Sequence, residues 1–240
     1  MRLDLNGQTV VVIGGSAGIG LETARRARAE GASLILAARN AGALALVARE
    51  LSAHYTAAFD AHDPASLQAF FRDLPDQIDH VMVTAGAPFY RPPLEISVDE
   101  AREGLTSHLL LALSVAQSAA NKVKPPGSLT FMGGTGARRP RIGTGVVSTA
   151  TAAFPALVAS LALELAPIRV NLIAAGFVDT RLSATILGKA LEQRRTELRA
   201  TLPIRRVVEA ADVARLAVHI MINTALTGAT YDIDGGQQLV

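Results

Sequence analysis

Short apolar runs alternate along this chain with longer stretches in which apolar residues recur at helical spacing. The runs are rich in β-branched side chains, which is typical of strands buried in a parallel sheet. They fall at residues 10–13, 33–37, 54–59, 80–84, 128–132, 169–172 and 230–233. Helical periodicity is clearest at residues 98–122, 148–165 and 212–222. This alternation predicts an α/β fold, a doubly wound parallel sheet with right-handed crossovers.

The most specific pattern follows the first apolar run. Glycines interrupt the run, and helical periodicity begins directly after them. In a dinucleotide-binding turn such glycines allow a sharp bend, a close approach to a pyrophosphate and tight helix packing, and the helix N-terminus faces the anion. The alternative is a βα turn that needs glycine for conformational reasons alone. We predict cofactor contacts from Gly14, Ser16, Gly18, Ile19 and Gly20.

The end of the second strand indicates which dinucleotide is bound. An NAD site usually places a carboxylate about 20 residues past the turn, for the ribose hydroxyls. This chain has Ala37, Ala38 and Arg39 there, followed by Asn40. A guanidinium suits the 2′-phosphate of NADP through charge-assisted hydrogen bonds. We therefore expect NADP(H) as the cofactor, with Arg39 and Asn40 in its site.

Further candidates follow the next strands. Asp60 ends the third strand and has two readings, an acceptor for the adenine amino group or a cap for the helix announced by Asp63-Pro64. Ala85-Gly86 closes the fourth strand and would let the backbone lie against a flat ring. A polar, helical segment at residues 181–203 is expected to cover the substrate cleft as a lid.

Composition excludes several classes of function. The chain has 240 residues, 50% of them hydrophobic and 18% charged, and a formal net charge of +2, so nucleic acid is not an expected partner. It has no cysteine, which rules out disulfides and thiolate metal ligands. We expect no metal site, no signal peptide and no apolar run long enough to span a membrane, and we expect a cytoplasmic location.

With these residues in place, the whole chain resembles the short-chain dehydrogenase/reductase family. The resemblance implies one seven-stranded Rossmann-like domain over residues 1–240, with helices on both faces, in a homodimer or homotetramer that pairs the helices at 98–122 and 148–165. It also implies that the loop 176–180 holds the carboxamide and phosphates of the cofactor. The matching residues are Gly14, Gly18, Gly20, Asp60, Ala85, Gly86, Gly176, Val178, Thr180, the run 161–171 and Asp234-Gly235-Gly236.

The family's catalytic residues are missing from the positions that match. Family members use a Ser and a Tyr-x-x-x-Lys pair, in which the Lys depresses the pKa of the Tyr so that it can protonate the substrate oxygen. Alignment places Gly134 at the Ser position, Val147 at the Tyr position and Thr151 at the Lys position. Residues 137–165 contain neither Tyr nor Lys, so no shift of the alignment restores the motif.

Two residues are candidates to replace the missing proton donor. His108 aligns with the family's helical Asn, and an imidazole can supply a proton near neutral pH. Tyr90 lies on the loop after the fourth strand, on the ligand side of the sheet. The alternatives are a satisfied polar group on a helix for His108 and a loop aromatic packed on prolines for Tyr90. Arg138, Arg139 and Arg141 flank the expected cleft, as substrate ligands or as a solvated loop.

Two functions from different classes follow. The first is an oxidoreductase that transfers hydride between NADP(H) and a small carbonyl or alcohol substrate. The second is a pseudoenzyme that binds NADP(H) as a sensor or scaffold and needs no substrate. The nearly complete set of cofactor positions favours the first, and the joint loss of Ser, Tyr and Lys favours the second.

Overall fold

The computed structural model describes residues 4–240, and its centre is a seven-stranded sheet. The sheet strands are β1 (Thr9–Ile13), β2 (Ser33–Ala38), β3 (Tyr55–Ala58), β4 (Ile78–Val83), β5 (Val123–Gly134), β6 (Arg169–Ala175) and β9 (Thr230–Ile233). Their spatial order is β3-β2-β1-β4-β5-β6-β9, and each neighbouring pair is parallel. Two short strands, β7 (Val178–Asp179) and β8 (Val208–Glu209), pair separately. The predicted fold class is confirmed.

Helices cover both faces of this sheet. They are α1 (Gly18–Ala29), α2 (Ala41–Leu51), α3 (Pro64–Asp73), α4 (Val98–Ala119), α5 (Gly145–Glu164), α6 (Arg181–Leu187), α7 (Leu191–Thr201) and α8 (Ala210–Ile222). One core joins α1, α2 and α8 to the sheet, and a second core on the other face contains α3, α4 and α5. The strands therefore carry apolar side chains on both faces, which explains their continuous apolar runs.

Strand β5 begins earlier than the sequence predicts. Pro125 and Pro126 cannot continue a helix, which predicts that the helix 98–122 stops before them and that the strand 128–132 follows. Yet α4 ends at Ala119 and β5 begins at Val123. The register against β4 shifts between Ile78 and His80, so the strand bulges where the prolines lie. Both prolines are exposed. A bulge accommodates them because residues there need not donate ladder hydrogen bonds.

Helix α5 also departs from expectation. Pro155 lacks a backbone N–H, which predicts a kink or a late start for this helix. Yet α5 begins at Gly145 and runs through Pro155, so the late start is wrong. By length and composition alone α5 is apolar enough to cross a membrane, contrary to the expectation that no segment is. It packs on the sheet through Phe154, Val158 and Leu161, which are buried in the core of that face. One side of α5 therefore belongs to the core of that face.

Loop residues at the carboxyl ends of the parallel strands meet at one edge. The glycine turn follows β1, Arg39 follows β2, Ala85 follows β4 and Gly176 follows β6. The strand order reverses between β1 and β4, which makes this edge a topological switch point. Open α/β sheets bind ligands in the crevice at such a point. The predicted site residues are therefore gathered by topology from distant parts of the sequence.

Candidate cofactor and active site

Two glycines of the turn after β1, Gly14 and Gly20, have no room for a side chain. A Cβ on Gly20 would lie 2.3 Å from the carbonyl oxygen of Gly14 and 2.5 Å from Oγ1 of Thr84. Gly14 has a φ of +96°, which L side chains rarely adopt. The Thr84 hydroxyl, at the end of β4, donates to the carbonyl oxygens of Ile13 and Gly14 at 3.2 and 3.3 Å. Close packing thus draws the first turn of α1 onto the β1 and β4 ends.

The N-terminus of α1 faces the switch point with its backbone donors uncapped. Ala17 is the N-cap residue, and within residues 4–240 no side chain accepts from the first turn of this helix. Gly18 has a φ of +53°, and Ile19 packs partly against the core shared with α2 and α8. Ser16 lies in the turn just before and is partly buried. Uncapped first-turn N–H groups and the helix dipole favour an anion here.

The residues after β2 and β3 are exposed at the outer end of the site. Arg39 is exposed, and in the described part of the chain it forms no ion pair. The side-chain oxygen of Asn40 accepts from the N–H of Ala43 at 2.9 Å and so caps α2. The side-chain oxygen of Asn40 is therefore engaged by the helix, and its side-chain NH₂ group is the donor that it has left for a ligand.

Asp60 does not cap the helix that follows it. Its Oδ1 accepts from the backbone N–H of His62 at 3.0 Å, within its own turn. The cap of α3 is Asp63, whose carboxylate accepts from the N–H groups of Ala65 and Ser66. The capping interpretation of Asp60 is therefore wrong, and its exposed carboxylate is left at the ligand edge beside the ends of β2 and β3.

His108 lies directly beneath Gly86. Gly86 has a φ of +113°, and a Cβ on it would lie 2.6 Å from Nε2 of His108. The imidazole on α4 therefore supports the backbone that closes β4, beside a small cavity that Ala85, Met132 and Phe154 also line. Burial lowers the pKa of His108, and the neighbouring charge of His62 lowers it further. His108 is consequently a neutral imidazole near pH 7, with one N–H to donate.

Tyr90 has an environment opposite to that of an activated acid. It lies on the loop between β4 and α4 and is 51% exposed. Partial burial raises the pKa of the Tyr90 phenol, and in the described residues no cation lowers it. A proton-donating Tyr needs a depressed pKa, so this phenol is a poor acid. The same loop is anchored by Phe89, which packs on Gly104 of α4.

The positions aligned with the family's catalytic residues lie together but offer no acid. A Cβ on Gly134, at the end of β5, would lie 3.5 Å from Cγ2 of Thr151 on α5. The Thr151 hydroxyl donates to the carbonyl oxygens of Val147 and Ser148 at 2.9 and 3.0 Å, so it is bound within its own helix. Val147 is apolar and partly buried. Among these three positions no side chain can protonate an alkoxide.

The loop after β6 meets the glycine turn. A Cβ on Gly18 would lie 3.6 Å from Cβ of Thr180, so Thr180 stands over the N-terminus of α1. Thr180 also caps α6 by accepting from the N–H of Ser183. Val178 is buried and pairs with Val208, and a Cβ on Gly176 would lie 2.6 Å from Cβ of Asp234. The predicted cofactor residues 176–180 and 14–20 are therefore neighbours.

The segment predicted as a lid is tied to this loop by an ion pair. Arg195 of α7 binds both carboxylate oxygens of Asp179, with donor–acceptor distances of 2.8 and 2.7 Å. Leu198, Leu202 and Val207 form a small separate core with Phe177 packed against it. This ion pair could not be predicted from the sequence, because two charged residues 16 positions apart follow no helical or strand period that would bring them together.

The arginines expected at the cleft mouth have different environments. Arg138 forms an ion pair with Asp232 of β9 at 2.5 Å, so its guanidinium is not simply solvated. Arg141 lies close enough to Glu197 of α7 to contribute to lowering the pKa of that carboxyl, after its main partner Arg194. Arg139 is exposed. The positive charge of this loop is therefore partly neutralised by carboxylates of α7 and β9.

The fold and the site together define an α/β protein with a dinucleotide-binding turn at its topological switch point. A family model described as enoyl-(acyl carrier protein) reductase matches residues 14–238. The short-chain dehydrogenase/reductase ATR9 of Stachybotrys chlorohalonatus is 28% identical and the match covers 97% of each chain. This chain belongs to the short-chain dehydrogenase/reductase family, as its sequence predicts.

Solved structures agree with this assignment. MalC reductase/Diels-Alderase from Malbranchea aurantiaca matches with a TM-score of 0.89 at 25% identity, over 98% of each chain. A small-chain dehydrogenase in complex with NADPH matches with a TM-score of 0.83 at 27% identity, over 97% of this chain and 99% of that one. The family as a whole binds nicotinamide cofactors.

Proposed function

We propose that this protein is an NADP(H)-dependent oxidoreductase that transfers hydride between the cofactor and a small carbonyl or alcohol substrate, without the family's Ser, Tyr and Lys. The observation that carries the proposal is the retained cofactor turn, in which Gly20 and Gly14 leave no room for a Cβ. A turn under so tight a constraint is what a pyrophosphate site requires. The NADPH complex of a neighbouring structure supports the choice of cofactor.

The preference for NADP over NAD rests on Arg39. The guanidinium is exposed at the tip of β2, and within residues 4–240 no carboxylate pairs with it. It can therefore form two parallel hydrogen bonds with a 2′-phosphate at no cost of a broken ion pair. The N–H groups at the start of α1 would hold the pyrophosphate, and Thr180 lies over that helix start.

When bound, the cofactor supplies or accepts a hydride, and the protein must manage the charge on the substrate oxygen. With Val147 and Thr151 at the aligned positions, a developing alkoxide has no acid beside it, which is strongly unfavourable in a low-dielectric pocket. His108 is the one candidate in the described residues with a suitable group, a neutral imidazole that can donate a hydrogen bond at Gly86. Simple ketones should accordingly be poor substrates.

The substrates that suit such a site are those that need little help from a protein acid. A substrate can carry its own acidic group near the carbonyl, or it can be a quinone whose reduced form is a stabilised anion. An acceptor that is already a cation becomes neutral on taking a hydride and needs no proton. MalC is described as a reductase and a Diels-Alderase, so one relative of this fold combines reduction with another reaction.

A binding titration tests the cofactor assignment directly. NADPH and NADH are titrated against the wild-type protein, Arg39→Ala and Arg49→Ala, the last being an exposed arginine on the neighbouring helix α2. We expect NADPH to bind roughly ten- to a hundredfold more tightly than NADH, the range expected for one bidentate phosphate contact. Arg39→Ala should lose this preference and Arg49→Ala should keep it. Equal affinities in the wild type would reject the role of Arg39.

Turnover separates the enzyme from the pseudoenzyme. NADPH oxidation is followed over aldehydes, quinones, carbonyls with a neighbouring acidic group, and iminium cations. Turnover of at least one class is expected, with loss in His108→Ala for the substrates that require a proton. NADPH binding without turnover of any class would instead support a sensor or scaffold.

We also propose a homodimer or homotetramer in the cytoplasm. Leu110 of α4 is 56% exposed and Leu163 of α5 is 82% exposed, on two helices that pack side by side. Exposed apolar side chains on such a pair favour association of two copies about a two-fold axis. Light scattering at micromolar concentration that showed only a 25.1 kDa species would contradict this.

A further inference from the structure

The imidazole rings of His62 and His108 lie next to each other at the edge of the sheet where the ligand is expected. His62 lies in the turn between β3 and α3 and is exposed, whereas His108 lies on α4 and is partly buried. Their ring centroids are 6.4 Å apart and the ring planes meet at 77°, an edge-to-face arrangement. Because Nε2 of His108 lies against Gly86, the two rings lie between solvent and the backbone that follows β4.

Few charged groups lie near these two imidazoles. On the β3–α3 turn, Asp60 accepts from the backbone of His62, and Asp63 is engaged by the first turn of α3. Within residues 4–240, His62 is the only charged neighbour that shifts the pKa of His108, and burial has the larger effect. The protonation of His108 is therefore coupled to one solvent-exposed imidazole and to no carboxylate.

We propose that His62 and His108 form a proton-exchange pair that connects the cleft floor at Gly86 with solvent. His62 is a positioning residue in this pair, because it acts through His108 and touches no substrate. The proposal rests on the proposed function, in which the family's Tyr and Lys are absent. In a reduction the substrate carbon gains a hydride and its oxygen takes one proton from His108. His108 recovers a proton from His62 through an intervening water, because rings 6.4 Å apart and edge to face are not hydrogen-bonded to each other. Solvent then reprotonates His62.

The first test needs no activity and uses the chain's five histidines. Nitrogen NMR of the imidazoles follows their titration and the exchange of ring N–H protons with water, in the wild type, His62→Gln and His54→Gln. His54 is an exposed histidine that precedes β3, so its variant is a matched control. In His62→Gln we expect the pKa of His108 to rise, because a neighbouring positive charge is removed, and its N–H exchange to slow severalfold. His54→Gln should change neither.

Buried His80 is the internal reference for this experiment. Its ring nitrogens are held by Ser128 and Gln8 at 2.9 and 2.7 Å, so its exchange should stay constant in both variants. Unchanged titration and exchange of His108 in His62→Gln would overturn the proposal. Equal changes at His80 would also overturn it, since they would indicate a general loosening of the fold rather than a lost path for protons.

Kinetics separate a failure of this proposal from a failure of the proposed function. With a substrate that requires a proton, His62→Gln should lower kcat most at low pH, where a side-chain imidazole carries the proton that it passes on. It should leave KM for NADPH unchanged, and kcat should recover when imidazole is added to the buffer. A loss equal at every pH without recovery would show a structural role and overturn the pair. Absence of turnover in the wild type, with the NMR coupling present, would reject the proposed function and keep the proton-exchange pair.

Discussion

The substitution Gly20→Ala probes the packing that forms the cofactor turn. The new Cβ would lie 2.3 Å from the Gly14 carbonyl oxygen, whereas an ordinary contact needs about 3.5 Å, so the start of α1 must retreat by about 1 Å. Overpacking of this kind costs about 1–3 kcal/mol of stability. The φ of Gly20 is not in the left-handed region, so the effect comes from space and not from backbone strain.

We expect the same shift to weaken the proposed binding of the cofactor. Backbone N–H groups of the first turn would move about 1 Å from a bound pyrophosphate, and each lost hydrogen bond to a charged group is worth about 1.5–3 kcal/mol. We therefore expect NADPH to bind at least about tenfold more weakly. Urea denaturation gives the stability change, and fluorescence titration of NADPH gives the affinity.

Gly42→Ala is the matched control for this experiment. Gly42 lies in α2, and its Cβ would meet its nearest neighbour, Asn40 Oδ1, at 3.5 Å, which is an ordinary contact. Alanine in a helix should stabilise the protein by up to about 0.5–1 kcal/mol and leave NADPH affinity unchanged. Wild-type stability and affinity in Gly20→Ala would refute the argument that this turn is under steric constraint.

Three further predictions concern the segment 181–203 that is predicted to be a lid, a buried cation and acid stability. Arg195→Ala removes the ion pair to Asp179, so NADPH should dissociate faster in stopped-flow displacement while its association rate is unchanged. An unaltered dissociation rate would contradict a role of this ion pair in holding the predicted lid. Arg169 donates to five backbone carbonyl oxygens, so Arg169→Lys should lower the free energy of unfolding by about 3 kcal/mol or more in urea, and a smaller loss would mean that water replaces the bonds. Burial lowers the pKa of His80 to about 3, so below about pH 6.5 the unfolded chain binds a proton that the folded chain does not bind. The free energy of unfolding should therefore fall with decreasing pH, by up to about 1.4 kcal/mol per pH unit. His80→Asn should flatten this pH dependence, and an equally steep profile would assign it to other groups.

The sheet and the glycine turn could be predicted from the sequence because their signals are local. A short β-branched run followed by glycines and a helical period requires one local geometry, and the strand at residues 10–13 was found at Thr9–Ile13. The site positions on this edge followed from the rule that parallel strands end together. Boundaries were less certain, as β5 shows, because a bulge lets a strand include Pro125 and Pro126.

Contacts between distant side chains could not be predicted. The hydroxyl of Thr84, the ion pair between Asp179 and Arg195, and the contact of His62 with His108 each join residues whose separation follows no period. Such pairs depend on loop conformations, which local propensity does not specify. The exposure of Tyr90 is of the same kind, since only the packed loop shows how much of the ring lies in solvent.

The proposed cofactor site has no proton donor at positions 134, 147 and 151. The most direct measurement is NADPH oxidation with simple ketones by the wild type and by Gly134→Ser/Val147→Tyr/Thr151→Lys. We expect slow or absent turnover in the wild type and a gain in the triple variant, because a general acid is worth about 10²–10⁴ in rate. Robust wild-type turnover of simple ketones, unaffected by His108→Ala or Tyr90→Phe, would contradict the assignment of these three positions as a site without a proton donor.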